Sequence, residues 1–407
     1  MLKEVTRRLC AKIIGFVFFI AGTLKLMDPV GTSLIIKEYL NFLHLGFLSG
    51  ISMVAGEGFA LIETFCGICL VTGVFRKVTA WAVSILLGGF TLLTLVLWIF
   101  NPSMDCGCFG EAIHLSHFQS FAKNIILCAL AAAAFIPFGD YGKPSKKKYT
   151  TFGLIGAASL LFALYSLIYI PMLELTPFNL SSRLAAAAEV PDIEEDEYIS
   201  TFIYEKNGKR GAFTLNKLPD STWTFVETKT IKKEDNIVET GYPELSFRDL
   251  EGNYRDTLAV KGNVLVFSIN RPDRIRTRKW NDIHNTVIAA GEAGFSTLLL
   301  TAGDYEALAR SLSRAGVSEE VSRELAKRSY IADYRTLISL NRSNGGAVYF
   351  NDGNLIEKWA SASYPESKEL GRIIRQDSTE VMLKADSKGR LSFQAYMLYT
   401  LSILLLI

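Results

Sequence analysis

Two cysteines separated by a single glycine are the residues best suited to chemistry in this sequence. They lie in Asp105-Cys106-Gly107-Cys108-Phe109-Gly110, a short polar turn between two long apolar runs. Thiols this close in sequence can form a small disulfide ring, because the bond needs Cα atoms roughly 4.4 to 6.8 Å apart. We expect such a ring to be strained and easier to reduce than a structural disulfide. A metal-ligand pair and a hairpin turn with two buried thiols stay open as alternatives.

A second pair of thiols, Cys66 and Cys69, has the C-x-x-C spacing of thiol oxidoreductases and is a candidate redox relay. Its place in an apolar run argues against this role. At 1.5 Å per residue, Cys66 would lie roughly 27 Å along a helix that begins at Leu48, far from Cys106. We therefore favour helix packing through Gly67 and its small neighbours as the interpretation of this segment.

Ionisable side chains within apolar runs form a third group of candidates, because charges inside a membrane are costly and usually face a cavity or a partner. The group consists of Lys25, Glu57, Glu63 and Lys123. We expect Lys25 to pair with Glu57, since both should lie near the same end of their runs. Such a pair would shape a cavity beside the cysteines or hold two helices together. The same charges are also compatible with a small-solute or ion carrier.

Long apolar runs must position these groups, and a bilayer span needs about 17 to 25 residues. The chain has 407 residues, of which 49 % are hydrophobic, and its mean hydropathy is +0.23. Almost all of the apolar excess precedes Pro171. The predicted spans are residues 10–27, 48–75, 78–100, 118–138 and 151–171, with a sixth at 391–407. A lipid bilayer is thus the expected environment, and a net charge of +2 does not support a nucleic-acid partner.

The cations in short loops predict the orientation of the spans. These cations are Lys3, Arg7, Arg8 and Lys12 before the first span, Arg76 and Lys77 after the second, and Lys143, Lys146, Lys147 and Lys148 after the fourth. They place the N-terminus in the cytoplasm, and the cysteine turn and the region after Pro171 on the extracytoplasmic side. Disulfides persist on that side, and all six cysteines precede residue 129.

The polar part of the chain predicts an α/β domain. An acidic linker at 173–197 leads to a small β appendage at 198–245, where hydrophobic residues alternate around a turn. Strands and helices then alternate over 246–385. We expect strands at 263–269 and 296–301, helices at 279–293, 305–315 and 319–327, and a hairpin between 347 and 359. This region has no cysteine, so it predicts no thiol chemistry of its own.

Histidines do not lead us to predict a metal site. His284 has no second histidine or cysteine near it in sequence. His114 and His117 flank the cysteine turn, where they could lower the pKa of a thiol, join the cysteines on a metal, or simply mark the polar start of a helix. We therefore name no residue of the turn as a metal ligand.

These motifs resemble a known group of proteins. The first four spans resemble the DoxX and methylamine-utilisation MauE membrane proteins, through residues 21–26, through Glu63 with the glycines that follow it, and through Cys106-Gly107-Cys108-Phe109-Gly110. The polar region resembles the thioredoxin-like domain that some bacterial members carry. That likeness rests on Arg342-Ser343-Asn344 and on Asp352-Gly353 before Glu357-Lys358-Trp359. The polar region departs from the thioredoxin pattern in two ways. It lacks the cysteine pair, and Gly345 stands where thioredoxin folds normally have a cis-proline.

The resemblance implies a multi-pass protein of the bacterial inner membrane. It implies a membrane α-helical bundle with a DoxX-like four-helix core at 1–140, a fifth helix at 150–172, and a soluble thioredoxin-like α/β domain at 246–385. The group is linked to disulfide formation or electron transfer in the cell envelope. We thus expect a thiol-disulfide or quinone-linked oxidoreductase, with Cys106 and Cys108 serving an extracytoplasmic client or redox partner and a quinone as candidate cofactor. The alternative is a non-enzymatic membrane anchor or assembly factor whose redox-inactive domain recruits a partner.

Overall fold

The computed structural model describes residues 2–102, 104–136, 144–187, 198–206, 209–214, 224–232 and 242–405. Several parts of the sequence prediction lie outside the described residues. They are the end of the fourth span at 137–138, Lys143, the part of the linker at 188–197, the segments 207–208, 215–223 and 233–241 of the β appendage, and the last two residues of the chain.

Apolar helices form the N-terminal part of the molecule. In chain order they are α1 (Leu2–Met27), α2 (Pro29–Phe42), α3 (Ser52–Thr72), α4 (Arg76–Phe100), α5 (His117–Phe135) and α6 (Lys146–Ile168). Five of these described helices, all except α2, are long and apolar enough to cross a membrane. The five runs expected before Pro171 are thus confirmed as apolar helices of a bundle. A 3-10 turn, Gly46–Ile51, precedes α3 and replaces the first residues of the predicted second span.

Glycines bring α1 and α3 into direct backbone contact. A Cβ atom on Gly67 would lie only 2.5 Å from the backbone nitrogen of Phe19, and one on Gly22 would collide with the side chain of Thr64. Side chains at these positions would force the helices apart, so small residues permit the contact. This agrees with the packing interpretation of the Gly67 segment. It also fixes which residues of α1 and α3 stand opposite each other.

The short helix α2 was not predicted. Its 14 residues are too few to span a bilayer, and it lies against α3 where α1 ends. Asp28 begins the helix, because its carboxylate accepts a hydrogen bond from the Gly31 amide at 2.9 Å. Pro29 occupies the first turn, where its missing N–H costs nothing. The buried face of α2 contributes to the candidate site described below.

The polar region contains two sheets. After β1 (Cys108–Glu111), the strands β2 (Tyr198–Lys206), β3 (Lys209–Thr214) and β4 (Thr224–Lys232) form a three-stranded antiparallel sheet in the order β3-β2-β4. The larger sheet contains β5 (Phe247–Arg248), β6 (Asn263–Ile269), β7 (Ser296–Thr301), β8 (Ser329–Ala332), β9 (Gly346–Asn351) and β10 (Asn354–Trp359). Its order is β10-β9-β6-β7-β8-β5.

The larger sheet is mixed and has a hydrophobic core on each face. The pairs β6–β7 and β7–β8 are parallel, whereas β9 runs antiparallel to β6 and β10 antiparallel to β9. The helices of this domain are α7 (Thr277–Ala293), α8 (Tyr305–Arg314), α9 (Glu319–Lys327), α10 (Tyr334–Leu340) and α11 (Ser367–Ile373). On β6, Leu265 and Phe267 belong to one core and Val264 and Val266 to the other. A strand buried on both faces is expected to be mostly apolar, as predicted for this segment.

The last helix, α12 (Ser378–Leu405), returns from the polar domain to the bundle. Tyr396 stacks on Phe162 of α6 with ring centroids 4.3 Å apart, and its hydroxyl lies 3.1 Å from the Ser159 hydroxyl. Near its end, Leu404 packs in a cluster with Phe19 and Ile155. This helix is not among the five spans found by length and composition, so the sixth span stays a prediction.

Buried ion pairs fasten the polar domain to the bundle. Arg342 contacts Asp28 at 2.7 Å, with only 6 % and 4 % of the two side chains exposed. Lys358 on β10 pairs with Glu174, which follows α6. Burial raises the pKa of Glu174 and lowers that of Lys358, so each charge needs the other. Both motifs of the polar region that carried the family resemblance therefore supply a residue to this junction.

Removing one charge of the buried junction should weaken it strongly. Arg342→Gln leaves the Asp28 carboxylate buried without a cation, and the expected loss is about 3–5 kcal/mol in the free energy of unfolding. Chemical denaturation of the full chain in detergent, followed by tryptophan fluorescence, measures this loss.

The matched control is Arg335→Gln, because Arg335 pairs with Glu38 of α2 at 3.7 Å while 81 % of its side chain is exposed. An exposed pair contributes less than about 1 kcal/mol. Equal losses in the two variants would contradict the importance of the buried pair.

Candidate functional site

The two cysteines of the turn lie side by side as free thiols. Their sulfur atoms are 4.0 Å apart, whereas a disulfide would bring them to about 2.05 Å. Gly107 between them has φ +56°, and a side chain there would collide with Ile35 of α2. Both the backbone conformation and the close contact require glycine. The tight turn therefore sits directly on α2.

Elements on both sides hold the turn in place. The Tyr39 hydroxyl of α2 donates a hydrogen bond to the Cys106 carbonyl. Burial raises the pKa of Tyr39, so the phenol remains a donor. After the turn, α5 begins with a reciprocal cap in which Ser116 accepts from the Gln119 amide at 3.2 Å and Gln119 accepts from the Ser116 amide at 2.9 Å. The same helix places the Lys123 ammonium 4.7 Å from the Phe109 ring centroid.

The two thiols have different acidities. A hydrogen bond from Cys106, together with the ammonium groups of Lys123 and Lys25, lowers the pKa of Cys108 to about 5 against the effect of burial. The same hydrogen bond, followed by burial, raises the pKa of Cys106. At neutral pH the pair then consists of one thiolate and one thiol. Since the thiolate is the reactive form in thiol chemistry, Cys108 is the sulfur of the pair whose reactive form is favoured.

Lys25 pairs with Glu63, and the expected pair with Glu57 is wrong. The Lys25 ammonium lies 2.6 Å from the Glu63 carboxylate. The register set by Gly22 explains this result, since Gly22 packs against Ala60 and Thr64 and thus aligns the end of α1 with this turn of α3. Glu57 lies six residues earlier, roughly 9 Å along the helix. Both of its carboxylate oxygens are buried without a hydrogen-bond partner among the described residues.

The turn cysteines and the Lys25–Glu63 pair meet at a cavity of about 300 Å³ inside the end of the bundle that carries the cysteine turn. Its polar lining consists of Lys25, Thr32, Tyr39, Glu63, Thr94, Cys106, Cys108, Lys123 and Asn124. The remaining walls are mostly apolar side chains of α1 to α5, including Phe18, Phe59 and Phe90. The cavity therefore combines two thiols, two cations and one carboxylate with an apolar space. Of the charged candidates from the sequence, only Glu57 does not line it.

The second cysteine pair is not part of this cavity. Cys66 packs in an apolar cluster with Cys10 and side chains of α4 and α5. Cys69 is also buried, and its carbonyl accepts the amide of Gly73, where α3 ends. Both lie in the half of α3 that leads away from the turn. The structure does not bring the pairs together, so it gives no support to a relay.

The histidines beside the turn point to other partners. His114 Nδ1 lies 3.1 Å from Asp105 Oδ2, and His117 Nε2 lies 3.0 Å from the Pro102 carbonyl. Within the described residues, no group of three or more histidine, cysteine, aspartate or glutamate side chains is arranged to hold a metal ion. The surroundings of Cys108 are thus set by lysines.

Tyr39 was not predicted as part of the site, because nothing in the sequence indicated that α2 would reach the turn.

The acidity of Cys108 can be tested by alkylation. Its thiolate forms as the pH rises through the pKa, so the iodoacetamide rate at Cys108 should reach half of its plateau near pH 5. Lys123→Met removes a cation that favours the thiolate and should move this midpoint up by at least about one unit. Peptide mass spectrometry resolves the rate at each cysteine.

Lys77→Met is the control, since Lys77 lies at the start of α4, at the other end of that helix from the turn. It should leave the midpoint unchanged. A wild-type midpoint near the ordinary thiol value of about 8.5 would show that the lysines do not activate Cys108.

Comparisons with known proteins match the membrane part and the small three-stranded sheet to separate families. Residues 198–234 match a domain of unknown function (DUF8463). A search of curated proteins and a search of solved structures each found no match. Residues 3–137 match the family model described as methylamine utilisation protein MauE, so the membrane part of this chain, which contains the cysteine turn and the cavity, is MauE-like.

Proposed function

We propose that this protein is a membrane thiol-disulfide oxidoreductase in which Cys106 and Cys108 alternate between a dithiol and a disulfide. The observation that carries the proposal is the pair of sulfurs 4.0 Å apart, one of them activated, at the wall of a cavity that also holds two lysines. The name of the family that the membrane part resembles refers to methylamine utilisation, and the proposal does not depend on that substrate.

The reaction with a client balances in atoms and electrons as thiol-disulfide exchange. In the oxidising direction, a thiolate of a client dithiol attacks the Cys106–Cys108 disulfide, and the second client thiol then releases the mixed disulfide. The client gains one disulfide, and both sulfurs of the turn return to the reduced form. Cys108 is the better leaving group because of its low pKa. Cys106, which holds its proton, then hydrogen-bonds the Cys108 thiolate.

The cellular setting in the proposal is the extracytoplasmic face of the bacterial inner membrane. Arg8, Lys12 and Arg76 each lie near enough to Lys148 to interact with it electrostatically. One residue or more from each of the three basic groups therefore lies at the same end of the bundle. The cysteine turn lies at the other end, with α2 and the polar domain. The distribution of cations supports a cytoplasmic location for the first end. In this orientation the thiols face the side on which disulfides persist.

The polar domain, in the same proposal, is a thioredoxin-like domain that has lost its own redox chemistry. Support comes from the order of its elements, because β6, α7 and β7 form a parallel unit and β9 and β10 an antiparallel hairpin on the other side of β6. Gly345 has φ +81° and donates its amide to the Ser268 carbonyl at 2.7 Å. The preceding Arg342 is buried on Asp28. The loop that would meet a client in a thioredoxin therefore meets the membrane bundle instead.

A second candidate function is a membrane anchor or assembly factor that works through the polar domain. The observation in its favour is that a domain without cysteines is fixed to the bundle by two buried ion pairs. This candidate predicts that serine at both turn cysteines leaves the cellular phenotype intact, while deletion of residues 198–385 removes it.

Trapping thiols in intact membranes tests the redox proposal. Cys106 and Cys108 should resist maleimide after mild oxidation with diamide and become reactive after dithiothreitol, and both should change together. Cys106→Ser should remove the protection of Cys108, because no partner sulfur remains.

Cys128→Ser is the matched control, because Cys128 lies in α5 and its sulfur contacts Thr91 rather than another thiol. It should leave the protection of the turn unchanged. Turn cysteines that react equally before and after reduction would rule out the redox cycle.

A further inference from the structure

A loop of the polar domain concentrates positive charge. Between the end of β6 and the first turn of α7, residues 271–279 contain five cations and a single carboxylate, Asp273. The cations of this basic loop are Arg271, Arg274, Arg276, Arg278 and Lys279. The Lys279 ammonium lies 3.3 Å from Asp282, but none of the four arginines forms an ion pair with a described carboxylate. Cations this close repel one another, so an anionic partner would stabilise the loop.

The backbone of the basic loop is fixed, and its charged side chains are free. The Arg271 amide donates to Asn344 Oδ1, and Asn344 Nδ2 donates to the Arg271 carbonyl, each at 2.9 Å. Pro272 and Ile275 are buried beneath the loop. The exposed arginines of the loop are Arg274, Arg276 and Arg278. A ligand would therefore meet several guanidinium groups without having to order the backbone that carries them.

Contacts with α2 place the basic loop beside the membrane bundle. The Arg271 guanidinium carbon lies 5.8 Å from the centroid of the Tyr334 ring, and the Lys37 ammonium of α2 lies 5.9 Å from the same centroid. Asn344, which holds the loop, follows two residues after Arg342, whose guanidinium is buried against the start of α2. The loop therefore lies at the end of the bundle that carries α2.

The short helix α2 marks the position of a bilayer surface. It joins the candidate spans Glu4–Met27 and Gly46–Thr72 and is itself too short to cross. Phe47, at the start of the second of these spans, is 81 % exposed, and an exposed apolar side chain on a span faces lipid. A short helix between two spans lies near one surface of the bilayer, where the lipid headgroups carry their phosphates. Cations near such a surface attract anionic lipids over about 8–10 Å.

We propose that the basic loop binds the phosphate groups of anionic phospholipids and so holds the polar domain against the bilayer. A guanidinium group suits this ligand, because its planar fork donates two parallel hydrogen bonds to phosphate oxygens. The bilayer around the bundle presents such phosphates at high effective concentration beside the loop, an advantage that a soluble anion does not have. The inference goes beyond the proposed function and does not depend on the chemistry of the turn cysteines.

Arginine modification in membranes of defined composition tests the proposal. The full chain is placed in nanodiscs of phosphatidylcholine or of phosphatidylglycerol and treated with phenylglyoxal, which reacts with free guanidinium groups. Peptide mass spectrometry reads the rate at each arginine. Phosphatidylglycerol should slow the reaction at Arg274, Arg276 and Arg278 by at least about fivefold, the factor that corresponds to about 1 kcal/mol for one cation at an anionic surface.

Arg328 is the internal control for this measurement. The strands β6, β7 and β8 are parallel, so their first residues lie at one edge of the sheet and the basic loop, which follows β6, lies at the other. Arg328 precedes β8 and donates to Thr297 near the start of β7. It is exposed, and its rate should change less than about twofold, because the length of a strand exceeds the Debye length of about 8–10 Å.

Two outcomes of this measurement would overturn the proposal. Loop arginines that react equally fast in the two kinds of nanodisc would show that the loop does not bind anionic lipid and would leave it to a soluble partner. Glycerol phosphate, added to phosphatidylcholine nanodiscs at the same phosphate concentration, should give no protection. Protection by glycerol phosphate equal to that by phosphatidylglycerol would assign the loop to a free anion instead of a lipid.

Variants show whether the arginines act together. In the double variant Arg276→Gln and Arg278→Gln, the protection of Arg274 by phosphatidylglycerol should fall to less than about twofold, because each lost cation weakens the attraction about fivefold. The matched control is Lys261→Gln with Lys327→Gln, which removes two exposed cations next to the starts of β6 and β8, at the opposite edge of the sheet. It should keep the full protection. A common thermal unfolding midpoint shows that the variants are folded, and equal protection of Arg274 in all three proteins would contradict the proposal.

Discussion

The site depends on the direct contact between the cysteine turn and α2. Gly107 allows the turn to lie on Ile35, and the Tyr39 hydroxyl holds the Cys106 carbonyl. The same short helix starts at Asp28, where Arg342 of the polar domain is bound. It also lines the cavity. One helix of 14 residues therefore sets the position of the thiols, the shape of the cavity and the attachment of the polar domain.

Buried ion pairs give this arrangement its geometry. Three such pairs, Lys25–Glu63, Asp28–Arg342 and Glu174–Lys358, lie between helices or between the bundle and the domain. A buried pair adds little net stability compared with apolar side chains of the same size, but an unmatched charge there is strongly destabilising. Arrangements that separate the partners are therefore disfavoured. In this protein the pairs hold the polar domain and the cysteine turn at the same end of the bundle.

Long and strongly patterned segments could be predicted from the sequence, whereas contacts between segments could not. The apolar helices and the strand Asn263–Ile269 were found because each carries a long and mostly apolar run. The four-residue strand β8 and the helix α2 were missed, since both are short and mixed in polarity. Lys25 and Glu63 were both candidates, but their pairing depends on the glycine register between α1 and α3. The role of Tyr39 likewise depends on the packing of α2 against the cysteine turn in the folded protein.

The thiol pair remains the centre of the proposed chemistry, and its redox equilibrium can be measured directly. The full chain would be equilibrated with glutathione buffers of known potential, and the oxidised fraction of the 106–108 peptide read by mass spectrometry. A reversible two-electron transition at a potential well above the roughly −300 mV of structural disulfides is the expected result. Thiols that stay reduced at every potential, or a disulfide that no buffer reduces, would contradict the proposed cycle.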